Sequence, residues 1–374
     1  MTEWKTCELE TVCERLSSGK GISAKMIFDN GEYPVYGGNG IRGYTSTSNF
    51  KGDCAIIGRQ GAYCGNVRYF KGEAYMTEHA VVVCANDNNC TRYLAYLLST
   101  MNLGRLSGQS AQPGLSVKTL GKQEIRIPSK DIQIKISELL GSIDEKIKHN
   151  EEINDNLLQQ AQSVFMHIFK DNASNVPATI ADIALNITDG VHNTVKDDPE
   201  GQYLLLSCKN IKGGSLSIGA SERKINSETF DKLRRRTKLA KGDILISSVG
   251  TVGELLLLNT EPTNYEFQRS VAIVKPNPEL VSSAYVYEAL VAQKAELINA
   301  AHGAVQQCLF ISDIAGFPIG IPNSNDLHAF DEIVIPMFDT ISANQAENQR
   351  LEAIRDTLLP KLMSGELDVS NLDI

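Results

Sequence analysis

Three segments of this 374-residue chain return, in the same order, about 190 residues later. Lys51-Gly52-Asp53 with apolar Ala55-Ile56-Ile57-Gly58 returns as Lys241-Gly242-Asp243 with Ile244-Leu245-Ile246. Glu78-His79-Ala80-Val81-Val82-Val83 returns as Gln268-Arg269-Ser270-Val271-Ala272-Ile273-Val274. Ile125-Arg126-Ile127-Pro128-Ser129 returns as Ile319-Gly320-Ile321-Pro322-Asn323, at an offset of 194. Solenoid repeats run to roughly 20–50 residues, so this period marks an internal duplication instead. The fold must be one architecture built twice.

After each Ile-Pro mark the periodicity turns from strand-like to helical. Ile136, Leu140, Ile143, Ile147, Leu157, Ala161, Val164 and Ile168 keep a 4-3 spacing in the first copy. Phe330, Val334, Met337, Ile341, Leu351, Leu358 and Leu362 keep it in the second. A sustained heptad predicts a coiled-coil seam. The middle slots are Asn150 and Asn154 in one copy, Asn344 and Asn348 in the other. Such polar seam residues set register. They cost least when they meet, so an antiparallel pair would place Asn150 opposite Asn348 and Asn154 opposite Asn344. Helices are expected over about 132–169 and 326–363, the first roughly 57 Å long at 1.5 Å per residue. Pro336 lies in the first turns of the second helix and predicts a kink or a short preceding helix.

The regions before the helices hold short β-branched runs (Cys54–Ile57, Ala80–Val83, Ile244–Ser247, Val271–Val274) between Gly, Asn and Ser turns. Each also holds one apolar helical stretch, Thr91–Met101 and Ser283–Ala300. The expected class is α+β: two globular domains separated by a long antiparallel two-helix coiled coil, with pseudo-twofold symmetry. The boundaries are 1–130 for the first domain, 131–172 for its helix, 173–324 for the second domain, and 325–374 for the second helix and tail.

A net charge of −9 taken as an average argues against a nucleic-acid partner, but its distribution does not. Residues 1–130 carry 15 basic and 11 acidic groups, and residues 173–324 carry 14 and 16. The helical segments 131–172 and 325–374 carry 4 against 8 and 3 against 10. The acidity thus sits on the helices, where it suits protein partners or a solvated face. No apolar run is long enough to span a bilayer, and Met1–Glu10 does not read as a signal peptide, so a cytoplasmic chain is expected. The eight cysteines contain no CxxC spacing and read as reduced thiols, with no metal site expected.

Catalytic signatures are missing. Gly38-Asn39-Gly40-Ile41-Arg42-Gly43 matches GxGxxG, but Tyr44-Thr45-Ser46-Thr47-Ser48 is a poor helix start, so no dinucleotide site is expected. There is no phosphate loop, no GxSxG elbow, no HExxH and no Asn-Pro-Pro-aromatic methyltransferase motif. Polar loop residues of the kinds that read bases or phosphates do cluster. In the first domain they are Tyr36, Asn39, Arg42, Tyr44, Arg59, Gln60, Tyr63 and Arg68, then Ser107, Gln109, Ser110 and Gln112. In the second they begin with Asp189, His192, Asn193, Lys209 and Asn210. Arg234-Arg235-Arg236, Ser248, Thr251, Gln268, Arg269, Gln306 and Gln307 follow. The Arg234–Arg236 run suits a phosphate track.

Taken together, these features resemble the specificity subunit of a type I restriction–modification enzyme over essentially the whole chain. The likeness is carried by the duplicated half and by the Lys-Gly-Asp strand followed by a Gly-rich turn. Gly61 and Gly65 supply that turn in one copy, Gly250 and Gly253 in the other. The Asp189-Gly190-Val191-His192 turn and the Ile-Pro approach to a long helix add to it. Many members carry Pro-Leu-x-Glu-Gln at the helix start. Here Pro128-Ser129-Lys130-Asp131-Ile132-Gln133 and Pro322-Asn323-Ser324-Asn325-Asp326 stand instead, so partner contacts there do not carry over.

The resemblance implies a non-catalytic subunit with two target-recognition domains. Each reads half of a bipartite double-stranded DNA site, with different half-site sequences. It implies helices that dock methyltransferase subunits, two of them, with restriction and motor subunits joining. S-adenosylmethionine, ATP and Mg would belong to those partners and not to this chain. Two other readings stand beside it. A coiled-coil adaptor would bind no DNA even with partners. A stand-alone methyltransferase would bind S-adenosylmethionine by itself.

Overall fold

The computed structural model describes residues 4–107, 114–169, 175–192, 195–219, 221–303 and 307–370. It divides into two compact units, Met1–Lys148 with Asn348–Ile374, and His149–Glu347.

The first unit runs β1 (Lys5–Glu8), β2 (Cys13–Ser18), β3 (Tyr33–Gly37), β4 (Gly40–Thr45), β5 (Phe50–Gly58), β6 (Val67–Met76), β7 (Ala80–Ala85), α1 (Thr91–Ser99), α2 (Val117–Gly121) and β8 (Glu124–Ile127). Its main sheet has the order β2-β7-β5-β6-β3-β4, with β3 parallel to β6 and the other pairs antiparallel. Alternation along β5 and β7 sends Ala55, Ile57, Val81 and Val83 toward α1, where they meet Tyr93, Leu94, Leu97 and Leu98. Cys54, Ile56, Ala80 and Val82 pack on the other face with Phe50 and Met76. The long helix α3 (Lys130–Phe169) starts in this unit. Tyr96 of α1 donates to Asp144, and Arg92 donates to Glu145 and to the Gly141 carbonyl, which ties the sheet's covering helix to α3.

The second unit begins with β9 (Val176–Thr179), α4 (Ile180–Ile183), β10 (Ala184–Asp189), β11 (Tyr203–Leu206), β12 (Ile211–Lys212), β13 (Ser215–Leu216), β14 (Arg223–Ile225) and α5 (Ser227–Thr237). Next come β15 (Ile244–Ser247), β16 (Leu255–Leu257), β17 (Tyr265–Phe267), β18 (Val271–Pro276), α6 (Ser283–Ala292), α7 (Lys294–Asn299), α8 (Ile311–Ala315), β19 (Pro318–Ile321) and α9 (Ser324–Ser364). Its strands form a β10-β18-β15-β16 sheet and a β14-β11-β17 sheet, in which β11 is parallel to β17. Pairing of β19 with β9 repeats that of β8 with β1.

The two long helices run in opposite directions within each unit. In the second, Asn344 Nδ2 donates to Asn154 Oδ1 at 2.8 Å and Asn150 Nδ2 to Glu347 at 2.7 Å. In the first, Asn348 donates to the Ile147 carbonyl at 3.3 Å and Arg355 to Asp144 at 3.1 Å. A rising number on one helix always meets a falling number on the other.

Three details differ from expectation. Helix α9 passes through Pro336 unbroken. The carbonyl that loses its donor there belongs to Glu332, an exposed residue on the solvent side of the helix, where the lost bond costs least. The stretch Ser283–Ala300 is two helices, α6 and α7, meeting at Gln293. Near its end α3 buries Phe165 and Phe169 in place of the heptad slots Val164 and Ile168. Those rings pack against Tyr285 and Phe330, so this part of the helix serves the domain core and the seam drifts off a strict heptad.

Candidate nucleic-acid interface

At one end of each unit the same turns meet through the same backbone hydrogen bonds. In the first, Gly19 N donates to Ala80 O, Lys20 N to Met76 O, Thr77 N to Tyr36 O, Arg59 N to His79 O, Gly65 N to Gly58 O, and Leu115 N to Arg59 O. In the second, Gly190 N donates to Val271 O, Val191 N to Phe267 O, Gln268 N to Leu206 O, Ser248 N to Ser270 O, Gly253 N to Ser247 O, and Leu309 N to Ser248 O. The loops after β2, β3 and β5 therefore converge with the turn before β7, as do those after β10, β11 and β15 with the turn before β18. Here Thr77 corresponds to Gln268, one residue away from the Glu78–Gln268 match in the sequence.

Glycine makes this convergence possible. A Cβ on Gly19 would lie 2.1 Å from the Met76 carbonyl, and one on Gly190 would lie 2.1 Å from the Phe267 carbonyl. Gly61 and Gly250 adopt φ of +77° and +86°, and Gly65 and Gly253 +84° and +88°. The GxGxxG segment is the turn of the β3–β4 hairpin, with no helix following it.

The first end presents much of what the sequence selects. Asn39 is exposed at the hairpin turn. Arg42 and Arg68 are exposed and flank it: a Cβ on Gly37 would meet Arg42, and one on Gly40 would meet Arg68. Among the described residues neither has an ion pair. Gln60 and Tyr63 are exposed on the next loop. Arg59 is half-buried, donating to the Glu78 carbonyl at 3.4 Å. Tyr36 stacks obliquely on Phe70 at 5.0 Å in the core, with burial pushing its hydroxyl pKa up. Tyr44 pairs with Phe28 through the backbone, and Ser107 bonds back to Gly104. Gln109, Ser110 and Gln112 lie outside the described residues.

The second end corrects several assignments. Asn210 is buried, accepts from Ser207 N and donates to the Ser217 carbonyl, so its amide holds a turn. Ser248 is buried with its hydroxyl on the Arg269 carbonyl. Arg234 pairs with fully buried Glu266 and donates to the Pro262 and Tyr265 carbonyls. Burial pushes the Glu266 carboxyl up, and Arg234 pulls it back. Arg236 is held by Asp189 and the Gly190 carbonyl. Only Arg235 of the run is free to track phosphate, because a helix sends three consecutive side chains to different faces.

His192 lies 2.6 Å from the other oxygen of Asp189. Lys209 pairs with Glu222 at 3.0 Å. The Thr251 carbonyl accepts from Ser247, while Gln307 and Arg269 are exposed and Gln268 half-buried. Asn193 and Gln306 lie outside the described residues. Sequence reasoning missed Gly19 and the exposed Lys20, whose signal was the Gly19–Gly190 pair at an offset of 171. Among the described residues there is no His, Cys, Asp or Glu group fit for a metal ion, and no helix long and apolar enough to cross a membrane.

Residues 1–159 match the family model described as the type I restriction modification DNA specificity domain. The specificity subunit of the type I restriction enzyme EcoprrI of Escherichia coli is 42% identical over 134 residues, 35% of this chain and 33% of that protein. This chain thus matches about a third of that relative's length. The MjaIX specificity subunit of Methanocaldococcus jannaschii is 27% identical over 78% of this chain and 72% of its own. In fold, the crystal structure of the type I restriction–modification S subunit from M. genitalium superposes with a TM-score of 0.62 at 17% identity, covering 96% of each chain. The duplicated domains and the paired helices stand beside these likenesses: residues 1–159 are similar to the type I restriction modification DNA specificity domain, and the fold is similar to that of a type I restriction–modification S subunit.

Proposed function

We propose that this chain is the non-catalytic DNA-reading subunit of a type I restriction–modification complex. Each convergent loop end reads one half of a bipartite, asymmetric site in double-stranded DNA. The observation that carries this is the pair of equivalent ends, built on one hydrogen-bond frame and differing in exposed side chains. Arg42, Arg68, Gln60 and Tyr63 line one end, and Arg269, His192, Lys209 and Gln307 the other. A shared frame positions both ends alike on DNA, and different side chains select different bases.

The acidic long helices dock methyltransferase subunits, and restriction and motor subunits join through them. S-adenosylmethionine, ATP and Mg are used by those subunits, in the cytoplasm. The test is to map methylated bases in cells carrying this chain with its methyltransferase. Two short sequences with a fixed spacer are expected. Modification of a single continuous site, or none, overturns the reading.

A further inference from the structure

The ring of His79 lies between two acceptors. Its Nδ1 is 3.1 Å from Gln60 Oε1, and its Nε2 is 3.2 Å from Glu78 Oε1. An amide oxygen can only accept, so Nδ1 carries the proton in this contact. The bond turns the Gln60 oxygen toward the ring and its NH2 group away from it. The arrangement is held from several sides. Arg59 N donates to the His79 carbonyl at 2.9 Å, and the Arg59 guanidinium to the Glu78 carbonyl at 3.4 Å. The hairpin turn closes over it, since a Cβ on Gly38 would lie 3.2 Å from the His79 carbonyl and 3.5 Å from that of Gln60. Gln60 itself is exposed.

A glutamine with both amide atoms free reads adenine, donating to N7 and accepting from the N6 amino group. With its oxygen turned to the ring, Gln60 offers donors alone. Guanine presents two acceptors, N7 and O6, on that edge, whereas adenine would set its amino group against an N–H. We propose that His79 is a positioning residue that makes Gln60 a donor-only reader, selecting guanine over adenine at one position of the first half-site. This rests on the DNA-reading function above. At the equivalent position of the second unit Ser270 stands where His79 does, and its hydroxyl accepts from Cys208 N.

The test uses the full complex with its methyltransferase, methylation mapping, and competition by duplexes varied one base pair at a time. The unaltered complex should demand guanine at one position of the first half-site. His79→Ala should let adenine in there, cutting discrimination roughly tenfold, with the second half-site and spacer unchanged. Gln60→Glu, which only accepts, should abolish the guanine preference and favour cytosine, whose amino group donates. If His79→Ala prevents assembly, Gln60→Glu decides. A bipartite site unchanged in both variants overturns the proposal and leaves the DNA-reading function standing. So does equal loss on every duplex, which would make Gln60 a phosphate contact. An unaltered complex that marks no bipartite site fails the function itself.

Discussion

Asn344 and Asn154 bond to each other across the two long helices, amide to amide, at 2.8 Å. Asn154 is 8% exposed, so replacing Asn344 strands the Asn154 amide oxygen away from water, while replacing Asn154 leaves the half-buried Asn344 amide without its partner. Asn154→Leu or Asn344→Leu alone should each destabilise by about 1–3 kcal/mol. The double Leu variant should recover most of that, because an apolar pair leaves nothing unsatisfied. Urea unfolding of the four proteins closes the cycle. Additive single effects would show that the pair is not coupled.

The Arg234–Arg236 run separates into different roles. Arg234→Ala leaves the fully buried Glu266 without its cation and should cost about 3–5 kcal/mol of second-unit stability. Arg235 lies on the surface, bonded among the described residues to a carbonyl of its own helix, and Arg235→Ala should stay within about 0.5 kcal/mol. Arg42→Ala and Arg269→Ala should leave stability alone and lower the salt slope of DNA binding by about 0.9 each, one phosphate's worth. Thermal melts with salt-titrated binding read both quantities. A stable Arg234→Ala protein with a lowered slope would restore the phosphate track.

How much of this was legible in the chain can be argued residue by residue. The duplication was, because Lys51–Asp53 and Lys241–Asp243 sit on the same side of every large insertion. The first strands were not. In the second unit the loop after β11 carries β12, β13, β14 and α5, which shifts the offset from 171 at Gly19–Gly190 to 189 at Ile57–Ile246. Short matches such as Ser18-Gly19 against Asp189-Gly190 then fall out of register with the rest. The equivalent strands β2 and β10 even carry a bulge at the same place, after Cys13 and after Ala184, and no residue type announces it. The helices were legible as heptads, except where Phe165 and Phe169 leave the seam for the domain core. For the candidate site, residue type suggested Asn210, Ser248 and Arg234 as readers. Their burial is a tertiary fact, and the same chemistry that reads DNA also holds turns together.

Two glycines of the second unit and one of the first should respond differently to a methyl group. Gly190→Ala drives a Cβ within 2.1–2.2 Å of two carbonyl oxygens and should unfold the loop end, with loss of the second half-site. Gly61→Ala has nothing within 4 Å and pays only for its φ of +77°, about 1 kcal/mol. Gly250→Ala, at φ +86° with Cys208 Sγ 3.7 Å away, should behave like Gly61→Ala. Melting temperature together with the methylated motif of each variant decides it. A Gly190→Ala protein that keeps both stability and its half-site would show that the carbonyl contact is not limiting.

Glu288 lies in the middle of α6, 1% exposed, and neither carboxylate oxygen has a hydrogen-bond partner among the described residues. Burial raises its pKa from 4.5 to about 8. Below pH 4.5 the group is protonated in both folded and unfolded chains and costs nothing by ionisation. Between there and about pH 8 the unfolded chain releases its proton while the folded one keeps it, so stability falls as pH rises. Above about 8 the folded group must ionise too, and the loss levels off. At ~1.4 kcal/mol per unit, the whole loss is of order 3–5 kcal/mol. Glu288→Gln removes the titration and keeps the shape. Its stability relative to the unaltered protein should therefore be lowest near pH 5 and climb steadily toward pH 8. Taking this difference cancels the titration of every other group. A difference that does not change with pH, measured by urea unfolding at each pH, would mean that the carboxyl is hydrated in the folded chain.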